Sequence, residues 1–292
     1  MYFAGIEAGG TKIVCSIGDD NLNIIEKITI KTTDPKETMI KIIEFFNQYK
    51  RHIYAFGIGC FGPIDINTES DYYGYITKTP KVLWQDYDFL GNIKRIFNVP
   101  IYWTTDVNAA AYGEYTKGAG YKDNSLVYIT VGTGIGAGAI QNDKFIGGIM
   151  HSEMGHMVIR RHEEDTFRGE CPFHNDCLEG LAAGPSIKSR AGIEGSNLMA
   201  NDELWEYIAY YLAQCVYNIT IMLAPEKIIM GGGVMKQTHL FNKIAYYFEI
   251  IADDYVNIPV FSSYLVPPAL GDNSGIIGCL SLAKAKYEKS VV

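Results

Sequence analysis

Two short apolar runs open the chain, at 2–7 and 12–17, separated by Ala8-Gly9-Gly10-Thr11, and a third at 23–30 follows the polar Asp19-Asp20-Asn21. Short apolar runs bounded by turn residues read as strands. Over 36–49 the period changes. Met39, Ile40, Ile42, Ile43, Phe45 and Phe46 recur at helical spacing behind Asp34 as a cap and Pro35 in the first turn, which predicts an amphipathic helix. Residues 54–60 return to strand character and stop at Gly62-Pro63, and 67–86 reads as a turn-rich aromatic connection. A helix is expected at 89–97 and a strand at 101–104. Asp106 is expected to cap a helix over 107–117, with Val107, Ala110 and Ala111 as its compact face.

Gly118-Ala119-Gly120 marks the expected crossing into a second domain. Strands at 125–131 and 136–140 then flank another glycine turn, loosely repeating the strand–turn–strand design of the amino terminus. Residues 160–200 are loop-rich, with short helices expected at 178–183 and 185–191, and 202–223 predicts the longest helix. Strands at 227–230 and 258–261 and helices at 240–251 and 275–286 complete the plan, a mixture that predicts an α/β architecture.

Acidic residues number 33 and basic residues 25, a net charge of -8 that speaks against a general nucleic-acid binder. The first residues read as an opening strand, not a signal peptide, and the apolar run 219–225 is too short to span a bilayer. Most of the six cysteines stand singly in apolar surroundings, as expected in a reducing, cytoplasmic compartment.

Candidate chemistry collects at four places. In Glu7-Ala8-Gly9-Gly10-Thr11-Lys12, adjacent glycines let backbone amides approach an anion, Thr11 adds a hydroxyl and Lys12 a charge. Thr130-Val131-Gly132-Thr133-Gly134-Ile135-Gly136 offers the same chemistry again. Neither carries a P-loop ending or a dinucleotide fingerprint, and either alone is also explained by a hairpin. A third glycine cluster, Gly231-Gly232-Gly233, gives close access to adenine and ribose or simply a tight strand exit. Asp106 sits at a strand–helix junction, where a carboxylate either caps the helix or takes a proton from an attacking hydroxyl. The densest polar group runs from Glu153 and His156 to Cys171, His174 and Cys177. Two thiolates and two imidazoles satisfy tetrahedral Zn²⁺ with no open position, so a structural metal is expected to staple the loop 157–177. Cysteines buried singly and a Cys171–Cys177 disulfide are the alternatives. Glu153, three residues ahead of His156, is placed to accept hydrogen bonds from sugar hydroxyls while the metal fixes its loop.

Together these motifs resemble the ROK family of bacterial sugar kinases and repressors, and within it the zinc-containing fructokinases, over essentially the whole chain. The resemblance rests on 7–12, 130–136, Asp106-Val107-Asn108-Ala109-Ala110, Glu153-Met154-Gly155-His156 with the Cys/His loop, and Gly271-Asp272-Asn273-Ser274-Gly275. It implies a two-domain actin-like and hexokinase-like (ribonuclease H-like) ATPase fold with a nucleotide cleft. The first domain would be 1–118 completed by 275–292, the second 119–274 with its zinc loop 156–177. It implies Mg-ATP as phosphate donor, a hexose as acceptor and a homodimer. Asp106 becomes the general base, and Asn108, Glu153 and His156 hold the sugar, His156 also ligating zinc. Gly9, Gly10, Thr11, Lys12, Thr130, Gly132, Thr133 and Gly134 cradle the phosphates, and Gly231, Gly232 and Gly233 approach adenosine. Thr105 stands where glucose-directed members carry Asn, Glu7 where many carry Asp, and the zinc loop is shorter than theirs. These departures fit the fructokinase branch, with attack by the 6-hydroxyl of fructose expected. Glucose, mannose or an N-acylhexosamine are the alternative acceptors. A sugar-responsive repressor is the runner-up class, for which the early first motif leaves no reader domain.

Overall fold

The computed structural model describes residues 1–291. Strands β1 (Tyr2–Ala8), β2 (Lys12–Gly18), β3 (Ile24–Lys31), β4 (Ile53–Cys60) and β5 (Ile101–Thr105) alternate with helices α1 (Pro35–Asn47), α2 (Phe89–Lys94) and α3 (Asp106–Lys117). Then come β6 (Ser125–Val131), β7 (Ile135–Gln141), α4 (Leu178–Ala182), α5 (Gly184–Ala191), α6 (Leu204–Leu223) and β8 (Lys227–Gly231). Helix α7 (Leu240–Ala252), the single turn α8 (Phe261–Tyr264), β9 (Leu265–Val266) and α9 (Ser274–Val291) complete the chain. Two compact units result. One comprises Met1–Lys122, Lys144–Ser152 and the chain from Ala269 onward; the other comprises Asp123–Asp143 and Glu153–Pro268.

In the first unit the sheet order is β3-β2-β1-β4-β5, with β1–β2–β3 an antiparallel meander and β1, β4 and β5 parallel. Parallel strands are covered on both faces, and β4 shows why this one can be: seven of its eight residues are buried. Successive side chains alternate between faces. Phe56 and Ile58 join Phe45 and Phe46 of α1 in the main core, while Ala55 packs with Leu280 and Ala283 of α9. Each fully buried aromatic of this kind contributes about 2–3 kcal/mol. Helix α1 begins as expected, with Asp34 accepting the N–H of Glu37 at 3.0 Å and Pro35 in its first turn. Inside the aromatic connection, Tyr75–Ile76 and Tyr87–Asp88 form a short antiparallel ladder with no sequence signal of its own.

In the second unit β7, β6, β8 and β9 lie side by side, β6 antiparallel to β7 and parallel to β8, and β8 parallel to β9. Its core includes Leu126, Ile129, Ile228, Trp205, Leu212 and Val216, the last three from α6, which packs on α7 and α4. One expected strand is displaced. Residues 258–260 form no strand, because Pro259 has no N–H for a ladder and Val260 is exposed. The turn α8 intervenes, burying Tyr264 with its hydroxyl 2.9 Å from Thr220 Oγ1, and the strand forms at Leu265–Val266, where Leu265 pairs with Ile228. Among the described residues no helix is long and apolar enough to cross a membrane.

Candidate functional site

In the first unit, β1, β4 and β5 end together: Glu7 pairs with Gly59, and Gly59 with Thr104. The capping role expected of Asp106 belongs to its neighbour. Thr105 is the N-cap, its hydroxyl accepting the N–H of Asn108 at 3.1 Å, so Asp106 becomes the first residue inside α3. The reason is geometric: Thr105 keeps extended backbone angles at the strand end, whereas Asp106 already has helical ones. The Asp106 carboxylate accepts the N–H of Val107 at 2.9 Å and is half-buried in the first turn of the helix. Asn108 is buried, with its amide donating to Thr104 Oγ1 at 3.0 Å.

Glu7 lies at the end of β1, directly before the first glycine turn. Burial first, then the charge of Asp106, pushes its carboxyl up to about 7, against the smaller opposing effects of Lys12 and Lys27. The turn is closed by Gly9 N–H donating to the Lys12 carbonyl at 2.9 Å, and braced by Thr32, whose hydroxyl donates to the Gly9 carbonyl at 2.8 Å. Thr11 and Lys12 are exposed, and Lys81, a cation the sequence did not single out, lies over Gly10.

The second unit brings the other two glycine clusters together. Parallel pairing sets Gly231 beside Thr130, and Gly232, at φ +95°, is pressed on Val131 and the Thr130 hydroxyl so closely that a side chain there would meet the Val131 carbonyl at 2.5 Å. The turn itself is tight, with Gly132 N–H donating to the Gly134 carbonyl at 2.9 Å and Gly184 N–H to the Gly132 carbonyl at 2.7 Å. These residues open onto a cavity of about 540 Å³ lined by Gly132, Thr133, Gly184, Lys188, Gly233 and Gln237. That volume suits a nucleoside-sized ligand.

One side chain at the base of this turn was not foreseen. Glu179, in the first turn of α4, accepts the N–H of Ile135 at 2.8 Å. Gly155 lies flush on the same residue, where a side chain would begin 1.7 Å from the Ile135 carbonyl. The segment bearing Glu153 and His156 is thereby packed against the second glycine turn. The Glu153 carboxyl is held above the usual range by burial, with Glu179 raising it further and His156 opposing.

The Cys/His loop closes as its spacing requires. Ligand atoms of His156, Cys171, His174 and Cys177 lie within 4.8 Å of one another. His156 Nδ1 is 3.6 Å from Cys171 Sγ and 3.5 Å from Cys177 Sγ, and His174 Nδ1 is 3.7 Å from Cys171 Sγ. Zinc bonds of about 2.3 Å to sulfur and 2.0 Å to nitrogen, opened to the tetrahedral angle, put those donors roughly 3.5 Å apart. The donor set therefore fits a closed Zn²⁺ site, and all six cysteines are free thiols, so no disulfide competes. Away from the donors, the loop is anchored by Asp165, which receives both guanidinium arms of Arg190 at 2.7 and 2.8 Å and the Tyr211 hydroxyl at 2.5 Å. Burial alone would raise the Asp165 carboxyl, but Arg190 and Tyr211 hold it at about 2.

The fold is the α/β actin-like and hexokinase-like ATPase fold. The chain belongs to the ROK family, whose model matches residues 3–286. It is 48% identical over 286 residues to a fructokinase of Streptococcus mutans, covering 97% of both chains. It is likewise 48% identical over 292 residues to a fructokinase of Lactococcus lactis subsp. cremoris, covering 99% of both. Among solved structures it resembles a ROK hexokinase from Thermus thermophilus, with a TM-score of 0.81 at 23% identity over 99% of this chain and 100% of that one.

Proposed function

We propose that this protein is an ATP-dependent fructokinase that transfers the γ-phosphate of Mg-ATP to D-fructose, giving fructose 6-phosphate. The observation that carries the reading is the 48% identity, nearly end to end, with two fructokinases. Asp106 is the proposed base, its carboxylate accepting the hydroxyl proton as the sugar oxygen attacks phosphorus in line. Asn108 supports that acid through its bond to Thr104 at the strand end. Glu153 accepts hydrogen bonds from the sugar. His156 turns Nδ1 to the thiols, so with zinc bound the opposite nitrogen keeps its proton and donates to a sugar oxygen.

On the donor side, Gly9, Gly10, Thr11 and Lys12, with Thr130, Gly132, Thr133 and Gly134, are the proposed phosphate cradle. Gly231, Gly232 and Gly233 are the proposed approach to adenosine, and Gly233 lines the cavity. Bound Mg²⁺ neutralises the phosphate oxygens, and the negative field around Glu7, Asp106 and Asp272 is the place on this chain that a cation relieves. Unit one, completed by α9, and unit two are the proposed two domains of the kinase. We propose a cytoplasmic homodimer that binds neither membrane nor nucleic acid; exposed Tyr246 and Ile250, one turn apart on α7, are consistent with a partner surface.

Purified protein given Mg-ATP and, separately, fructose, glucose, mannose, N-acetylmannosamine and N-acetylglucosamine tests the assignment. Fructose should show the highest kcat/KM. A different winner removes the sugar assignment, and no transfer to any of them removes the activity.

A further inference from the structure

A second cavity, of about 330 Å³, runs along the outer edge of β5. It lies wholly within the first unit and is distinct from the nucleotide cavity. Asp106 does not line it, although Asn108, two residues further on, does. Its inner end is formed by Thr104, Asn108 and His151, and its walls by Tyr73, Tyr102 and Phe145.

Three features bear on what fits there. First, no carboxylate lines the cavity, although the chain carries a net charge of -8. Its charged group is Lys286, which has no ion-pair partner among the described residues. Second, the hydroxyls of Tyr73 and Tyr102 also lack hydrogen-bond partners among the described residues, though both rings are partly buried. Tyr102 is kept protonated, its pKa pushed up to about 12 by burial and then by the nearby Tyr112 and Tyr73, so it is available as a donor. Third, β5 is the last strand of its sheet, so alternate peptide groups on its outer side have no strand partner. His151, buried and kept neutral by that burial, is already engaged, accepting the N–H of Ile64 at 3.2 Å.

An unpaired ammonium, unused hydroxyl donors and apolar ring faces, with no acid, match an anion carried on a small polar ring. The volume lies near the lower limit for ligand cavities, about 300 Å³, and suits a small ligand. We infer that this cavity binds a monosaccharide phosphate, with the phosphate at Lys286 and the sugar against Tyr102 and Phe145. The bound molecule would abut Thr104 and Asn108, the two residues whose hydrogen bond spans the strand end bearing Asp106.

Isothermal titration of the full-length, zinc-loaded protein with D-glucose 6-phosphate, D-glucose and inorganic phosphate, each alone, tests this. Glucose 6-phosphate should bind, and the other two should bind at least about tenfold more weakly, since each offers only part of the complement. Lys286→Met should weaken glucose 6-phosphate by about tenfold and Tyr102→Phe by about threefold, the loss of a charged and a neutral hydrogen bond. Neither should move the KM for fructose, which separates this cavity from the catalytic site. Absence of binding, phosphate binding as tight as the sugar phosphate, or affinity unchanged in both variants overturns the proposal.

Discussion

The carboxylate of Glu179 holds the backbone N–H of Ile135 at 2.8 Å, fastening the second glycine turn to the first turn of the helix that follows Cys177, a proposed zinc ligand. A hydrogen bond to a charged acceptor is stronger than a neutral one, and here it fixes the curvature on which backbone amides converge. Glu179→Ala is expected to raise the KM for ATP by about tenfold or more, the equivalent of one charged hydrogen bond. Initial rates at saturating fructose with ATP varied measure it. An unchanged KM for ATP would show that the turn keeps its shape without this brace.

Asp106 is proposed to accept a proton, not to bind the sugar tightly. Asp106→Asn keeps the size and leaves Thr105 as the helix cap, so the fold should persist. Turnover should fall by about 10²- to 10⁴-fold, the usual contribution of a positioned base. Fructose affinity, read by calorimetry, should change little. Turnover within twofold of the native enzyme's, by about the same principle, would remove the assignment.

The four-donor loop is expected to carry about one zinc per chain. Cys177→Ser should lose the metal, as elemental analysis of the purified protein reads directly. Because Cys177 also precedes the α4 turn carrying Glu179, thermal unfolding should shift downward and the KM for both substrates should rise. Full folding and activity in metal-free native protein would contradict the stapled loop.

Glu7 supplies a pH signature. Folding raises its pKa from 4.5 to about 7, so the native chain binds this proton more tightly than the unfolded chain does. Its contribution to stability is therefore greatest below pH 4.5 and declines as pH climbs through that interval toward 7. The full loss is roughly 3 kcal/mol for an isolated group. Glu7→Gln keeps a neutral side chain at every pH. Its Tm, measured without divalent cations, should rise relative to that of the native protein between pH 5 and pH 8. A difference that stays flat across that range would mean that Glu7 is ionised throughout.

How much of this was readable in advance depends on how far apart the interacting residues lie. Strands, the amphipathic α1 with its Asp34 cap, and the His156–Cys171–His174–Cys177 set were legible because each is a local pattern of period, capping or ligand spacing. At Thr105-Asp106 two good caps are adjacent, and only the dihedral angles decide which one is extended. The strand expected at 258–261 failed because apolar spacing outweighed Pro259 in the reading, whereas in the chain the missing N–H prevailed. Glu179 was invisible for another reason. Its partner lies 44 residues away, and the contact is to a backbone N–H, which leaves no mark on the partner's identity.

The sheet of the first unit is built from the chain's opening third, yet the faces of β1 and β4 opposite α1 are covered by α9, with Phe3 and Ala55 sealed by Leu280 and Ala283. On a ribosome this surface stays wet until the last helix has emerged, while 123–268 already hold the whole of the second unit. The later-made unit should therefore become protease-resistant first, as pulse-chase proteolysis of nascent chains would show, and the amino-terminal sheet must wait for the carboxyl terminus to dry its exposed face.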